Sequence, residues 1–246
     1  MRWALVVIVW AASSVFAGTT DDAVPDARYR DYATGFAPYT LRIVGRSMDG
    51  NPALASGVAI SDHWALTAAH VAHDLTVCTA GGKAVDLIAV HPEWRGDDLG
   101  WHDIAALHVG ESFGLAFYPP LSQGGEAVGD VVLMAGYGVT GRLSTGYVRG
   151  SPSDGLLRAG TGKVVRHERA VVVLCPRRGL TPLPFIIAPG DSGGPMFHGG
   201  ALAGINSFTM ADRGPLNSRE GEETGHTRVS LYLEWIAAVQ GLTPAR

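Results

Sequence analysis

An all-β fold, a barrel or sandwich of short strands closed by one C-terminal helix, is what this 246-residue sequence predicts. Three observations carry that expectation. Apolar runs of strand length, rich in Val, Ile and Leu, recur along the chain, each bounded by Gly, Pro, Asn, Asp or Ser. The 33 glycines and 14 prolines are scattered without a period, which suits many tight turns and neither a collagen-like repeat nor a linker. Apolar residues at helical spacing are missing through the middle of the chain. A content of 46% hydrophobic and 17% charged residues is enough to build a core and excludes a disordered chain.

Taken in order, Met1 and Arg2 form a short positive start, Trp3 to Ala12 is nearly all apolar, and Val15-Phe16-Ala17 places small residues where a signal peptidase reads. Residues 1–17 are therefore expected to be a signal peptide cut after Ala17, since the apolar run is too short for a spanning helix. That makes the mature protein secreted or periplasmic, with no membrane attachment after cleavage. Residues 18–37 are polar and turn-rich and read as an extended N-terminal arm or pro-segment. Residues 38–246 read as one domain. Its strand-like runs are Tyr39–Val44, Gly57–Ile60, Ala84–Val90, Ile104–Val109, Val131–Ala135, Lys163–Val165, Ala170–Leu174 and Ala201–Ile205. Near the end, Ser230 is placed to cap a helix whose apolar face is Leu231, Leu233, Trp235, Ile236 and Val239, with Gly241 ending it and Pro244 following. No repeat or interdomain linker interrupts this pattern.

Charge and cysteine usage narrow the function. Net charge is −4 and no run of Lys or Arg occurs, so nucleic acid is not an expected partner. Cys78 and Cys175 could pair in an exported protein or stay free, and neither lies in a metal-like spacing. His70 and His73 stand three apart, but nothing supplies a matching third ligand, so no metal or other cofactor is expected.

The strongest signal is Gly190-Asp191-Ser192-Gly193-Gly194-Pro195. A serine flanked this tightly by glycines has an exposed hydroxyl, and the glycines let successive N–H groups face one point, as an oxyanion requires. A serine hydroxyl is a poor nucleophile until a base takes its proton. Thr67-Ala68-Ala69-His70 supplies a candidate base behind the apolar run Trp64-Ala65-Leu66. His102-Asp103-Ile104-Ala105-Ala106-Leu107 places a carboxylate at the mouth of an apolar strand, where it could orient the imidazole. Asp97 and Asp98 are its rivals, in a glycine-containing loop.

Thr-Ala-Ala-His, Asp-Ile-Ala and Gly-Asp-Ser-Gly-Gly-Pro, in that order, resemble the trypsin/chymotrypsin family of serine proteases. Other segments agree. Gly57 to His70 resembles the strand pair leading to the family's histidine, Gly136-Tyr137-Gly138 its Gly-Trp-Gly segment, Gly204 to Phe208 its substrate-binding strand, and Leu231 to Ile236 its terminal helix. The resemblance implies two six-stranded antiparallel β-barrels with the active site between them. It implies Ser192 as nucleophile, His70 as general base and then acid, and Asp103 as orienting acid. It also implies an oxyanion hole from the N–H groups of Gly190 and Ser192, and backbone pairing of substrate with Ser207, Phe208 and Thr209. In the specificity pocket Ile186 falls where trypsin itself has an aspartate, and Thr209 and Thr224 fall where open pockets carry glycine. The expectation is a monomeric endopeptidase cutting protein or peptide substrates after small or medium apolar residues. Export with so few cysteines suits a bacterial member.

Some features depart from the family. Arg42-Ile43-Val44-Gly45 resembles an activation site but stands too close to His70, and it reads better as part of the first barrel strand. In the family the acid before the serine, here Asp191, pairs with a freed N-terminal ammonium. The partner in this chain is left open between a terminus cut within residues 18–37 and an internal cation. Two other classes fit parts of the pattern: a catalytically inactive protease-like binding protein, and an α/β-hydrolase esterase using Ser192, Asp212 and His226 in that order.

Overall fold

A computed structural model describes residues 18–96, 100–211 and 216–241. The expected signal peptide, Asp97, Asp98, Asp212 and Pro244 lie outside these residues. The described chain begins with β1 (Gly18–Thr20) and α1 (Asp26–Ala33). It continues through β2 (Thr40–Ser47), β3 (Pro52–Ala59), β4 (Trp64–Thr67), the helical turn α2 (Ala69–His73), β5 (Leu75–Ala80), β6 (Lys83–Val90) and β7 (Ala105–Val109). Strands β2-β3-β4-β7-β6-β5 close into a barrel. In β2 the alternation is visible residue by residue: Leu41 and Ile43 are buried while Arg42 and Val44 face out, as a pleated strand over a core demands. The Arg42–Gly45 stretch is bonded to β3 on one side and β5 on the other, so it is strand and not an activation site.

The second half holds β8 (Val131–Gly136), β9 (Thr140–Arg142), β10 (Gly146–Tyr147), β11 (Arg158–Glu168), β12 (Val171–Leu174), β13 (Phe185–Ile186), β14 (Pro195–His198), β15 (Ala201–Met210) and β16 (Glu223–Arg228). Here β11-β12-β16-β15-β14-β8 form a second closed antiparallel barrel, and β10-β9-β1-β13 form a small sheet beside it. The expected pair of six-stranded barrels is what the structure contains. One apolar cluster fills the first barrel and crosses the seam through Leu133, Phe197, Leu202 and Ile205, and a second, built on Met134, Val172, Leu174 and Met196, fills the other barrel.

Two expectations about local structure change. Residues 18–37 are not extended throughout, because α1 occupies their centre. Its composition is polar, and Tyr29 and Ala33 are its buried residues. It is held by tertiary contacts. Tyr29 is fully buried and donates its hydroxyl to Pro184 O at 3.1 Å. Arg158, also fully buried, reaches Asp26 through Nε (2.6 Å) and Nη2 (3.0 Å) and Asp154 through Nη2 (2.9 Å). At the other end, a 3-10 turn (Val229–Leu231) precedes α3 (Leu233–Gln240), so Ser230 lies in the turn and caps nothing. Gly241 follows α3 with φ −78°, without using the left-handed conformation that glycine allows. Cys78 and Cys175 are both free.

β16 escapes a hydrophobicity search because it is polar. Thr224, His226 and Thr227 are nevertheless fully buried. Their hydrogen bonds make this tolerable: Thr224 Oγ1 lies 2.8 Å from His226 Nε2, His226 Nδ1 lies 3.0 Å from Asn206 Oδ1, and Thr227 Oγ1 donates to Asp103 O at 3.2 Å. Burial pushes the His226 imidazole down to about 3, so it stays neutral.

The docking of α1 gives a direct test. Asp26→Ala leaves the buried Arg158 guanidinium with half its carboxylate partners and is expected to cost about 3 kcal/mol of stability, measured by urea unfolding. A change within about 0.5 kcal/mol would show that the helix is not anchored by this pair.

Candidate active site

β4 ends at Thr67, and the chain turns into α2 with His70 near its start. Asp103 stands just before β7, after His102, whose φ of +52° makes the sharp turn that aims the next side chain inward. Asp103 accepts the His70 backbone N–H on Oδ1 (2.8 Å) and His70 Nδ1 on Oδ2 (2.8 Å), and the Ser207 hydroxyl also donates to Oδ2. Ring position and backbone are thus fixed by one carboxylate. The carboxylate side chain is 5% exposed and the imidazole 40%, so the free edge of the ring faces solvent. Burial pushes the Asp103 carboxyl up, but the bonds and charge from His70 and the Ser207 hydroxyl outweigh it, and the group lies below the usual carboxylate range.

Ser192 sits in the turn between β13 and β14, flanked by Gly190 at φ +95° and Gly193 at φ +83°. A Cβ on Gly193 would stand 2.0 Å from Thr67 Oγ1, so glycine is required for the turn to press against the first barrel. Two residues that the sequence did not single out hold it there. Ser56 of β3 donates its N–H to Ser192 O (2.9 Å) and its hydroxyl to Gly190 O (2.8 Å). Asn206 of β15 accepts the Gly193 N–H (2.8 Å), donates its own N–H to Gly194 O (2.8 Å), and sends Nδ2 to Asp191 O (3.2 Å). A serine and an asparagine inside strands carry no local signature of such a role; only the pairing of the barrels reveals it. The N–H groups of Gly190 and Ser192 have no acceptor among the described residues. In this state no hydrogen bond among the described residues joins the Ser192 hydroxyl to His70.

Beside Ser192 lies a cleft of about 250 Å³ lined by Tyr147, Ile187, Ala188, Pro189 and Leu216, with Ser207, Phe208 and Thr209 along one edge. Two residues expected to face it do not. Ile186 is fully buried and is occupied in pairing with Thr19 of β1. Thr224 is fully buried and bonded to His226. Among the described residues no carboxylate lines the cleft.

His91, Glu93 and His102 bring potential ligand atoms within 4.8 Å of one another, but the donor set suits a metal poorly. The two rings stack nearly parallel at 4.9 Å, so their in-plane lone pairs do not converge. His91 Nδ1 takes the Glu93 N–H, and His102 Nδ1 is buried without a partner among the described residues, whereas a ligating imidazole donates its second N–H to an acceptor.

The Trypsin family model matches residues 29–236 of this chain. The chain belongs to the trypsin family. It is 29% identical over 228 residues to a chymase of Canis lupus familiaris, covering 82% of this chain and 84% of that one. Its fold is similar to that of HL collagenase (TM-score 0.68, 18% identity, 93% of this chain and 99% of that chain). It also resembles mouse brain neuropsin, a serine protease (0.64, 19%, 82% and 94%), and a scabies mite inactivated protease paralogue (0.64, 19%, 83% and 94%). These barrels leave no place for the strand–turn–helix of an α/β-hydrolase, and His226 is locked in the core, so the esterase reading falls. No helix among the described residues is long and apolar enough to cross a membrane.

Asp191 is fully buried and accepts N–H groups from Gly138 and Ala188, both at 2.8 Å. Burial, only partly offset by these bonds and by the charge of Arg158, pushes its carboxyl up to about 7 from a reference of 3.8. A folded-state value above the reference means the stabilising contribution is complete below the reference and is lost as pH rises through the folded value. A chain with residues 1–17 still attached is therefore expected to melt at a lower temperature at pH 7 than at pH 4 on account of this group. Asp191→Asn should remove that part of the slope in a pH series of thermal melts, and an unchanged slope would contradict it.

Proposed function

We propose that this protein is a secreted serine endopeptidase that acts as a monomer on protein or peptide substrates through an acyl-enzyme. The observation that carries the reading is the double hold of Asp103 on His70, together with a serine turn in which the N–H groups of Gly190 and Ser192 have no acceptor among the described residues. His70, fixed through Nδ1, presents Nε2 to solvent as the base. The bond from the Ser192 hydroxyl to Nε2 forms as substrate binds, since catalytic hydrogen bonds that are long in the free enzyme tighten in the complex. Oγ attacks the scissile carbonyl carbon as Nε2 takes its proton, and the carbonyl oxygen becomes an oxyanion held by the N–H groups of Gly190 and Ser192. Asp103 stabilises the imidazolium. His70 then protonates the leaving amine, and water, deprotonated by the same nitrogen, hydrolyses the ester on Ser192. Ser207 to Thr209 offer backbone to the substrate strand. An apolar cleft of modest volume, with no carboxylate among its described lining residues to hold Lys or Arg, supports cleavage after small or medium apolar residues.

Maturation follows from the arm. β1 is buried between β9 and β13, and Gly18 N–H donates to Val139 O at 2.8 Å, next to Gly138, which binds Asp191. A Cβ on Gly18 would lie 2.2 Å from the Phe185 ring, so a first residue other than glycine does not fit. A signal cut after Ala17 frees the Gly18 amino group at this spot, where its positive charge offsets the buried Asp191 carboxylate. Residues 18–37, anchored by Tyr29 and Arg158, stay with the mature enzyme and are not a discarded pro-segment.

Ser192→Ala is expected to lower kcat by at least about 10⁴-fold with an unchanged melting temperature, and a fluorophosphonate probe should label the native protein on Ser192 alone. Absence of labelling in protein whose N terminus is shown by mass spectrometry to be Gly18 would favour a protease-like binding protein instead. Protein expressed with extra residues before Gly18 should lose about tenfold or more in kcat/KM; equal activity would refute the role given to the new terminus.

A further inference from the structure

The segment that borders the cleft has no covalent tie, since both cysteines are free. One buried carboxylate gathers its turn from within. Glu222, 3% exposed, accepts the Ser218 N–H at 2.7 Å and the Asn217 N–H at 3.3 Å on each oxygen, with Arg219 Nε 3.6 Å away. Ser218 is fully buried and sits at φ +59°, a left-handed conformation that a serine adopts only when its surroundings hold it there. From this turn, bonds run to three other segments. Ser218 Oγ donates to Ile187 O at 2.7 Å, in the wall of the cleft. Asn217 O accepts the N–H of Tyr147, another wall residue, at 2.8 Å, and Asn217 Nδ2 donates to Thr145 O at 2.8 Å. Thr19 of β1 donates its hydroxyl to Ser218 O. Leu216, also in the wall, immediately precedes the turn.

Close approach confirms that the parts are fitted to one another. A Cβ on Gly146, at φ +75°, would lie 2.3 Å from Asn217 O and 2.4 Å from its Cγ, so the hairpin beside Tyr147 reaches the turn only as glycine. We propose that Glu222 is the positioning residue of the substrate cleft: its carboxylate locks the Asn217–Ser218 turn, and through it the places of Tyr147, Ile187 and Leu216, and so sets how tightly the residue before the scissile bond is held. Glu222 does not touch the reacting atoms, and its effect is on substrate binding. The proposal rests on the protease reading for its kinetic consequence and not for its structural one.

The test compares mature wild-type protein with Glu222→Ala and Glu222→Gln. In the alanine variant KM for an apolar peptide is expected to rise about tenfold while kcat stays within about threefold, the size of effect that follows from losing hydrogen bonds to one carboxylate. Labelling of Ser192 by a small fluorophosphonate, which does not need the cleft, should keep its rate. The amide of Tyr147 should exchange hydrogen about tenfold faster. Glutamine keeps one acceptor oxygen for the Ser218 N–H and should lie nearer to wild type, which also guards against a variant that fails to fold. An alanine variant with unchanged KM, or one that loses kcat at constant KM, overturns the proposal. So does unchanged exchange at Tyr147, a readout that needs no catalysis. Failure of the wild-type protein to be labelled on Ser192 would instead count against the protease reading alone.

Discussion

The Ser192 turn is held in place by the seam between the two barrels, and the rest of the site depends on that hold. Ser56 grips it from the first barrel and Asn206 from the second, each through backbone as well as side chain. Both side chains are fully buried, so every bond replaces one that water would have made, and leaving any partner unmade would cost a desolvated polar group. The consequence is a turn with little freedom, which is what preorganised N–H donors require. The glycines at 190 and 193 are needed because the seam is tight: Gly193 touches Thr67 and the Ser56 carbonyl, and Gly190 lies against Gly138.

The same seam joins the two halves of the site chemically. His70 and Asp103 both come from the first barrel, yet the carboxylate also takes a hydroxyl from Ser207 of the second. The order of the barrels and the ionisation of Asp103 are therefore linked. Buried polar groups outside the reaction follow the same logic. His226 is neutral because it is sealed in, and its two nitrogens are matched to Thr224 and Asn206, which ties β16 to the residue that grips the Ser192 turn.

The N-terminal arm and the 217–222 turn extend this frame around the cleft. Thr19 reaches Ser218, Ser218 reaches Ile187, and Asn217 reaches Tyr147, so β1, the walls of the cleft and the buried Glu222 form one connected set. Short strands and loops with few apolar side chains are held here by polar contacts and not by a local core.

The sequence by itself determined the barrel-forming strands whose apolar residues recur at strand length, such as Ile104–Val109 and Ala170–Leu174. It also identified the three short motifs around His70, Asp103 and Ser192, because local pattern and glycine chemistry encode these. It could not show α1, a polar helix that exists by docking Tyr29 and Asp26 onto the second barrel, or β16, whose burial is offset by hydrogen bonds rather than by hydrophobicity. It misjudged Ile186 and Thr224 for the same reason: which face of a short strand meets a cleft is set by its neighbours, β1 in one case and His226 in the other. Only the tertiary structure decided the roles of Ser56, Asn206 and Glu222, since their partners lie tens of residues away or in backbone atoms that every residue shares, and sequence carries no local mark of either.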